Sequence, residues 1–113
     1  MAIPPRTHAQ LDQFSLRLHE EVAKLVCVDP DLLNRARANI LRWKKQLGTS
    51  ATRDLDVWSD ILSQPLDDIV SALVARTETG NRLRQSSPFC GIISQARRME
   101  LFREVYGRES RKP

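Results

Sequence analysis

Residues 29–48 read DPDLLNRARANILRWKKQLG, and this stretch sets the fold class. Asp29 can cap a helix that begins at Pro30, because aspartate accepts hydrogen bonds from the free amides of a first turn and proline has no amide to lose. Gly48 is suited to end that helix. Between them, apolar residues follow at helical spacing: Leu33, Ala36, Ile40, Trp43 and Leu47. The stretch therefore predicts an amphipathic helix.

The same helical period recurs on both sides of this stretch. Upstream, residues 9–26 carry an apolar stripe made of Leu11, Phe14, Leu18, Val22 and Leu25. Downstream, the spacing predicts helices over about 52–62, 65–75, 81–85 and 95–106, the last two capped by Thr77 and Ser94 and the last ended by Gly107. No run alternates for long enough to predict a strand. The sequence predicts an all-α fold, a compact bundle of five to six short helices in a single domain over 9–107, with a flexible arm at 1–8 and a disordered basic tail at 108–113.

Composition restricts the class of protein. The chain has 113 residues, of which 41% are hydrophobic and 28% charged, as in one soluble globular domain. No apolar run approaches the roughly 20 residues of a membrane span, and no apolar leader is evident. We therefore expect a cytoplasmic protein with no membrane contact. Two reduced thiols are expected, with Cys27 in the core and Cys90 in a loop.

Charge is segregated along the chain. The net charge is +4, yet residues 32–52 carry only basic groups and residues 54–75 only acidic ones. Such blocks fit either internal pairing or a basic patch that faces a partner. The sequence leaves both interpretations open.

The sequence contains few candidates for catalytic or metal-ligating residues. His8 and His19 are predicted to be exposed, and no spacing of Cys, His or Asp resembles a metal site. Ser86 and Ser87 have no evident base in the sequence, and no glycine-rich phosphate loop is present. We expect no catalytic residue, no metal and no cofactor. A thiol-dependent enzyme at Cys90 is the less favoured alternative.

Two sets of residues are candidates for binding. The segment 82–91 combines two arginines, a glutamine, two hydroxyl side chains and one aromatic ring, and arginine and aromatic residues are enriched at protein-binding hot spots. Its predicted partner-binding residues are Arg82, Arg84, Gln85, Ser87 and Phe89. The alternative for this segment is that Leu83, Pro88 and Phe89 fill the core while the polar groups cap helices. The second set consists of basic helix faces that could contact phosphates, formed by Arg35, Arg42, Lys44, Lys45, Arg97 and Arg98.

The chain also resembles a known group of proteins. The residues that carry the likeness are Leu18-His19-Glu20, Val22-Ala23, Asp29-Pro30, Leu33, Ala36-Arg37, Ile40, Trp43, Trp58-x-x-Ile61-Leu62 and Leu83-Arg84-Gln85-x-Ser87-Pro88-Phe89-x-Gly91. Over about 16–106 they resemble short, all-helical bacterial proteins associated with toxin–antitoxin-like gene pairs and with uncharacterised reading frames. The sharpest match is Arg84-Gln85-x-Ser87-Pro88-Phe89. Cys90 stands where a small residue such as alanine is expected, which argues against a catalytic thiol.

The resemblance implies a non-enzymatic interaction protein. Such an antitoxin-like protein would bind a toxin-like protein partner and neutralise it by occlusion. The alternative is a DNA-binding transcriptional regulator that uses the basic helix faces. The two roles are compatible in one protein, and the sequence does not specify an oligomeric state.

Overall fold

Six α-helices build the protein over the residues that the computed structural model describes, 8–47 and 52–110. In chain order they are α1 (His8–Val28), α2 (Leu33–Leu47), α3 (Arg53–Leu62), α4 (Leu66–Leu73), α5 (Glu78–Gln85) and α6 (Gln95–Ser110), with a 3-10 turn at Pro30–Leu32 between the first two. These ranges contain no strand. The predicted all-α bundle is confirmed. Residues 1–7 of the predicted arm, Gly48, and residues 111–113 of the predicted tail lie outside the described residues.

Three predicted capping sites begin helical segments. Asp29 Oδ1 accepts the Asp31 amide at 3.2 Å, so Asp29 and Pro30 start a 3-10 turn that continues into α2. Thr77 Oγ1 accepts the Gly80 amide at 3.0 Å at the start of α5. Ser94 Oγ accepts the Arg97 amide at 3.1 Å at the start of α6. Each side-chain oxygen satisfies an amide that has no partner inside its own helix.

The core forms where α1 packs against α4 and α5, while α3 joins α2 to α4. Its fully buried side chains include Val26, Trp58, Ile69 and Leu73. The Trp58 indole donates a hydrogen bond to the Leu83 carbonyl at 2.8 Å, so the one polar atom of this large ring is satisfied. This bond fixes the end of α5 against α3.

The last helix packs along α1 through aromatic rings and ion pairs. The rings of Phe14 and Phe102 meet edge to face at 5.4 Å. Arg97 of α6 pairs with both carboxylate oxygens of Glu21, at 3.0 and 3.1 Å. This hydrogen-bonded pairing lowers the pKa of Glu21. The paired geometry fixes the lateral position of α6 on α1.

Some side chains depart from the predicted positions. Leu11 is 47% exposed, whereas the adjacent Gln10 is 8% exposed, so Gln10 rather than Leu11 lies on the buried side of this end of α1. Cys27 was predicted to be a core residue and is exposed, because the neighbouring Val26 occupies the core position. The spacing of the last helix predicts that Met99 faces inward, but Met99 is exposed because it lies almost opposite the buried Leu101 on α6.

The prediction that Gly107 ends the last helix was wrong. The helix α6 continues through Gly107 to Ser110. A glycine inside a helix costs only about 1 kcal/mol relative to alanine, so it does not by itself stop a helix that is otherwise supported.

The charge blocks pair in part with each other. Lys44 of α2 forms an ion pair with Asp56 of α3, and Arg82 pairs with Asp54 at 3.5 Å. Internal pairing therefore accounts for one contact between the basic block 32–52 and the acidic block 54–75, and Arg82 from a later segment engages a second acidic residue. Within the described part of the chain, none of the helices has the length and apolar character needed to cross a bilayer.

Candidate functional site

A groove of about 540 Å³ runs between α1, the end of α5, the connection 86–94 and the start of α6. Its apolar lining consists of Phe14, Leu18, Val22, Phe89 and Ile93. Its polar lining consists of Ser15, His19, Arg84, Gln85, Ser87, Cys90, Gln95 and Arg98. Among the described residues, the lining contains two arginines and no aspartate or glutamate. The lining is therefore mixed, more polar than that of a typical small-molecule site, while the volume of the groove lies within the usual range of ligand sites.

Four of the five predicted partner-binding residues line this groove. Gln85 is exposed at its rim and Ser87 is half-buried. Arg84 and Phe89 are each only 4% exposed and form parts of its wall. In this structure Arg84 and Phe89 are therefore not projecting contacts, and Phe89 packs edge to face on Trp58 at 5.4 Å as the core alternative predicted. The fifth residue, Arg82, lies outside the groove and pairs with Asp54.

The connection that carries this segment is held from α2. The buried Asn39 donates hydrogen bonds to the carbonyls of Pro88 at 2.9 Å and Cys90 at 3.2 Å. Gly91 has a φ of +87°, a conformation that L side chains rarely adopt. The Arg35 guanidinium lies so close that a Cβ added to Gly91 would approach it at 3.0 Å. Sequence reasoning missed Asn39, although an asparagine beside the inward positions Ala36 and Ile40 was a signal.

His19 and Ser87 form a hydrogen-bonded couple in the groove. His19 Nδ1 donates to the Ser15 carbonyl at 2.7 Å, because a carbonyl oxygen only accepts. In the neutral ring, Nε2 therefore accepts the Ser87 hydroxyl, at 2.7 Å. The expectation of an exposed His19 was wrong, since the residue is 5% exposed. The expectation that Ser87 lacks a base was also wrong, because folding brings together residues 68 positions apart.

Ser87 and His19 are residue types that can serve as a nucleophile and its base. Their surroundings here make both less suited to those roles. Burial lowers the pKa of His19 from 6.5 to about 4, so the imidazole is neutral but a weak base at neutral pH. A backbone carbonyl orients the ring, where hydrolytic triads use a carboxylate. The Ser87 hydroxyl also accepts the Phe89 amide at 3.3 Å and so helps to form the turn at Pro88.

Arg84 is a buried cation in the groove wall. Its Nη1 donates to the Leu73 carbonyl at 3.2 Å and its Nη2 to Asn81 Oδ1 at 2.6 Å. Its Nε has no hydrogen-bond partner among the described residues. Burial lowers the pKa of Arg84, and the more distant carboxylates of Asp12 and Glu20 partly oppose that effect. No carboxylate in the described ranges forms an ion pair with Arg84.

The candidates for nucleic-acid binding divide between two helices. On α2, Lys44 is engaged by Asp56, while Arg35, Arg42 and Lys45 are exposed. On α6, Arg97 is engaged by Glu21 and Glu100. Arg98, also on α6, lies over the Phe14 ring at 5.4 Å and lines the groove.

The described residues contain no group of three His, Cys, Asp or Glu side chains that could hold a metal ion. Comparison of the chain with protein-family models, with curated proteins and with solved structures finds no match.

Proposed function

We propose that this protein is a non-enzymatic, antitoxin-like interaction module that binds a protein partner at the groove and neutralises it by occlusion. The observation that carries the proposal is the position of the segment 82–91. Four of the residues singled out there as partner-binding line one groove, together with α1 and the start of α6. A partner segment seated in the groove would be covered by the surrounding helices.

The walls are suited to rigid recognition. Phe89 is fixed between Trp58 and His19, whose rings lie at 5.4 and 6.1 Å from it. The backbone around it is held by Asn39. Preorganised walls lose little conformational freedom on binding, which favours affinity. Because Arg84 and Phe89 are buried in the groove wall, a side chain of the partner would have to enter the groove to contact them. The exposed rim around Gln85 would contact the partner surface around that side chain.

Two exposed cysteines allow a matched test of this site. Cys90 lines the groove and Cys27 does not, and both are free thiols. Two proteins would be prepared, Cys27→Ser labelled at Cys90 and Cys90→Ser labelled at Cys27, each with the same bulky maleimide. Each serves as the control for the other, because they carry the same added group at different places.

The readout is capture of partners from the native cell with a tagged protein, in nuclease-treated and untreated halves, identified by mass spectrometry. We expect one stoichiometric protein that survives nuclease treatment, with recovery at least tenfold lower after Cys90 labelling and unchanged after Cys27 labelling (about 1.4 kcal/mol or more in binding). Equal recovery with both labels would contradict the proposal. Recovery of nucleic acid alone would favour the regulator.

A DNA-binding regulator is the second candidate. The observation that favours it is the exposure of Arg35, Arg42 and Lys45 on one face of α2, where they could follow phosphates. Lys44 and Arg97 contribute less, because carboxylates already engage them.

A further inference from the structure

The charge of the groove is unbalanced, and this bears on what it binds. Over the part of the chain that the structure describes, its lining includes the two cationic side chains Arg84 and Arg98 and no acidic one. Arg84 is 4% exposed, and the described residues give it no ion pair. A buried charge is unfavourable unless a counter-charge and hydrogen bonds compensate it.

The fold compensates Arg84 only in part. Its Nη1 bonds to the carbonyl of Leu73, the last residue of α4, where the helix dipole supplies about half a negative charge. Its Nη2 bonds to the neutral amide oxygen of Asn81. The Nε–H group has no acceptor among the described residues. Two of the five guanidinium N–H groups therefore have an acceptor, and the positive charge is opposed only by this helix end and by the more distant carboxylates of Asp12 and Glu20.

The rest of the lining indicates what surrounds that anion. Phe14, Leu18, Val22 and Ile93 are apolar and would contact hydrocarbon. Arg98 is exposed at the rim and would attract a negative charge over a longer range. An acidic side chain with apolar neighbours complements both features.

We propose that the groove receives an acidic side chain of the partner, flanked by apolar residues, whose carboxylate pairs with Arg84 and is guided by Arg98. This inference rests on the proposed partner-binding role and names the chemistry of the part of the partner that enters. Pairing with the carboxylate would offset the charge that Arg84 carries in the groove wall. Because this charge would be compensated by a paired carboxylate only in the complex, binding should raise the free energy of unfolding by more than the apolar contacts alone would.

The test uses three peptides and the wild-type protein. The first is N-acetyl-Leu-Glu-Leu-amide, and the second is its neutral match, N-acetyl-Leu-Gln-Leu-amide. The third is N-acetyl-Leu-Gln-Leu with a free terminal carboxylate. Binding is followed by NMR, through the side-chain Nε–H signal of Arg84 and the backbone amides of residues 85–91.

We expect the Glu peptide to shift the Arg84 Nε–H signal and to bind at least about tenfold more tightly than the Gln amide, because charge-assisted hydrogen bonds are roughly twice as strong as neutral ones. Equal affinities for the Glu and Gln amides would overturn the inference, as would an unmoved Arg84 signal at millimolar peptide. Tighter binding of the free acid than of the Glu amide would also overturn it, in favour of a terminal carboxylate.

Variants separate binding from folding. Arg98→Gln changes an exposed side chain and should weaken binding of the Glu peptide, with at most a small fall in melting temperature from loss of its contact with the Phe14 ring. Arg84→Gln should abolish the preference for Glu over Gln, and its melting temperature reports whether it has folded. Arg82→Gln is the matched control, because Arg82 lies outside the groove. Its removal should change neither the affinity for the Glu peptide nor that for the Gln amide.

The two proposals fail in different ways. If labelling at Cys90 blocks capture of the partner but the peptides show no preference for the carboxylate, only the acidic-side-chain inference is wrong. If labelling at Cys90 leaves capture unchanged, the groove is not the partner-binding site.

Discussion

His19 links the stability of the groove to pH. Its ring is buried, it donates to its own helix through Nδ1, and it accepts from Ser87 through Nε2. A protonated ring would turn Nε2 into a donor and place a second cation near Arg84. Burial and the Arg84 charge both lower the pKa of His19. The folded state therefore favours the neutral ring.

The first prediction is a loss of stability in mild acid. The pKa of His19 falls from 6.5 in the unfolded chain to about 4 in the folded one. Below pH 6.5 the unfolded state binds a proton that the folded state does not, so the free energy of unfolding falls as the pH drops from 6.5 towards 4. The total loss is about 3 kcal/mol. Urea titrations across this interval measure it, and His19→Gln should flatten the slope. A folded-state NMR titration of His19 with its midpoint near 6.5 would contradict the prediction.

Ser87 is expected to act as a structural residue. Its hydroxyl joins His19 to the turn that contains Phe89. Ser87→Ala leaves the buried Nε2 without a donor, which should lower the free energy of unfolding by about 1–3 kcal/mol. A fluorophosphonate probe should not label the wild-type protein, because His19 is too weak a base to activate the hydroxyl. Labelling that disappears in both Ser87→Ala and His19→Gln would instead establish a nucleophile.

The start of α5 is fixed by a close backbone approach. A Cβ added at Gly80 would lie 2.4 Å from the Ala75 carbonyl oxygen, and backbone cannot move aside as a flexible side chain can. Gly80→Ala should therefore destabilise the fold by about 1–3 kcal/mol. Gly107→Ala is the matched control, because its Cβ would meet only Arg103 Cβ at 3.8 Å. That second change should stabilise α6 by about 0.5–1 kcal/mol. Urea denaturation of both variants checks the opposite signs, and a common sign would show that the approach at Gly80 is not tight.

The helices could be predicted from local chemistry, whereas the site could not. Caps such as Thr77 and Ser94 act within three residues, so they can be recognised in the sequence. The couple of His19 with Ser87 depends on how α1 packs against the end of α5, and helical spacing does not specify that packing. Position 19 shares its face with Val22 and Val26, which was a local signal of burial, but the histidine was assigned to the exposed side. The segment 82–91 was identified from its residue types, and the groove itself emerged only with the fold.

Basic side chains lie on two separate surfaces of the molecule. Partner binding would use one of them and DNA binding the other. The groove carries Arg84 and Arg98 in an apolar setting. The outer face of α2 carries Arg35 and Lys45 in solvent. Salt screens exposed charges much more than buried ones, so the two surfaces should respond differently to ionic strength.

The last prediction separates these surfaces with the variant Lys45→Gln. Arg42 is retained because it donates to Asn39, which holds the groove connection, and Arg35 is retained because its guanidinium lies against Gly91 of that connection. Partner capture should change less than about twofold in the variant, since Lys45 is exposed and is not the proposed anchor. For the wild-type protein, partner affinity should fall less than about tenfold between about 50 and about 200 mM salt, whereas DNA binding would show a log–log slope near −0.9 for each phosphate contact. A steep salt dependence that Lys45→Gln makes shallower would transfer the function to α2, because only exposed contacts that release counterions can produce both effects.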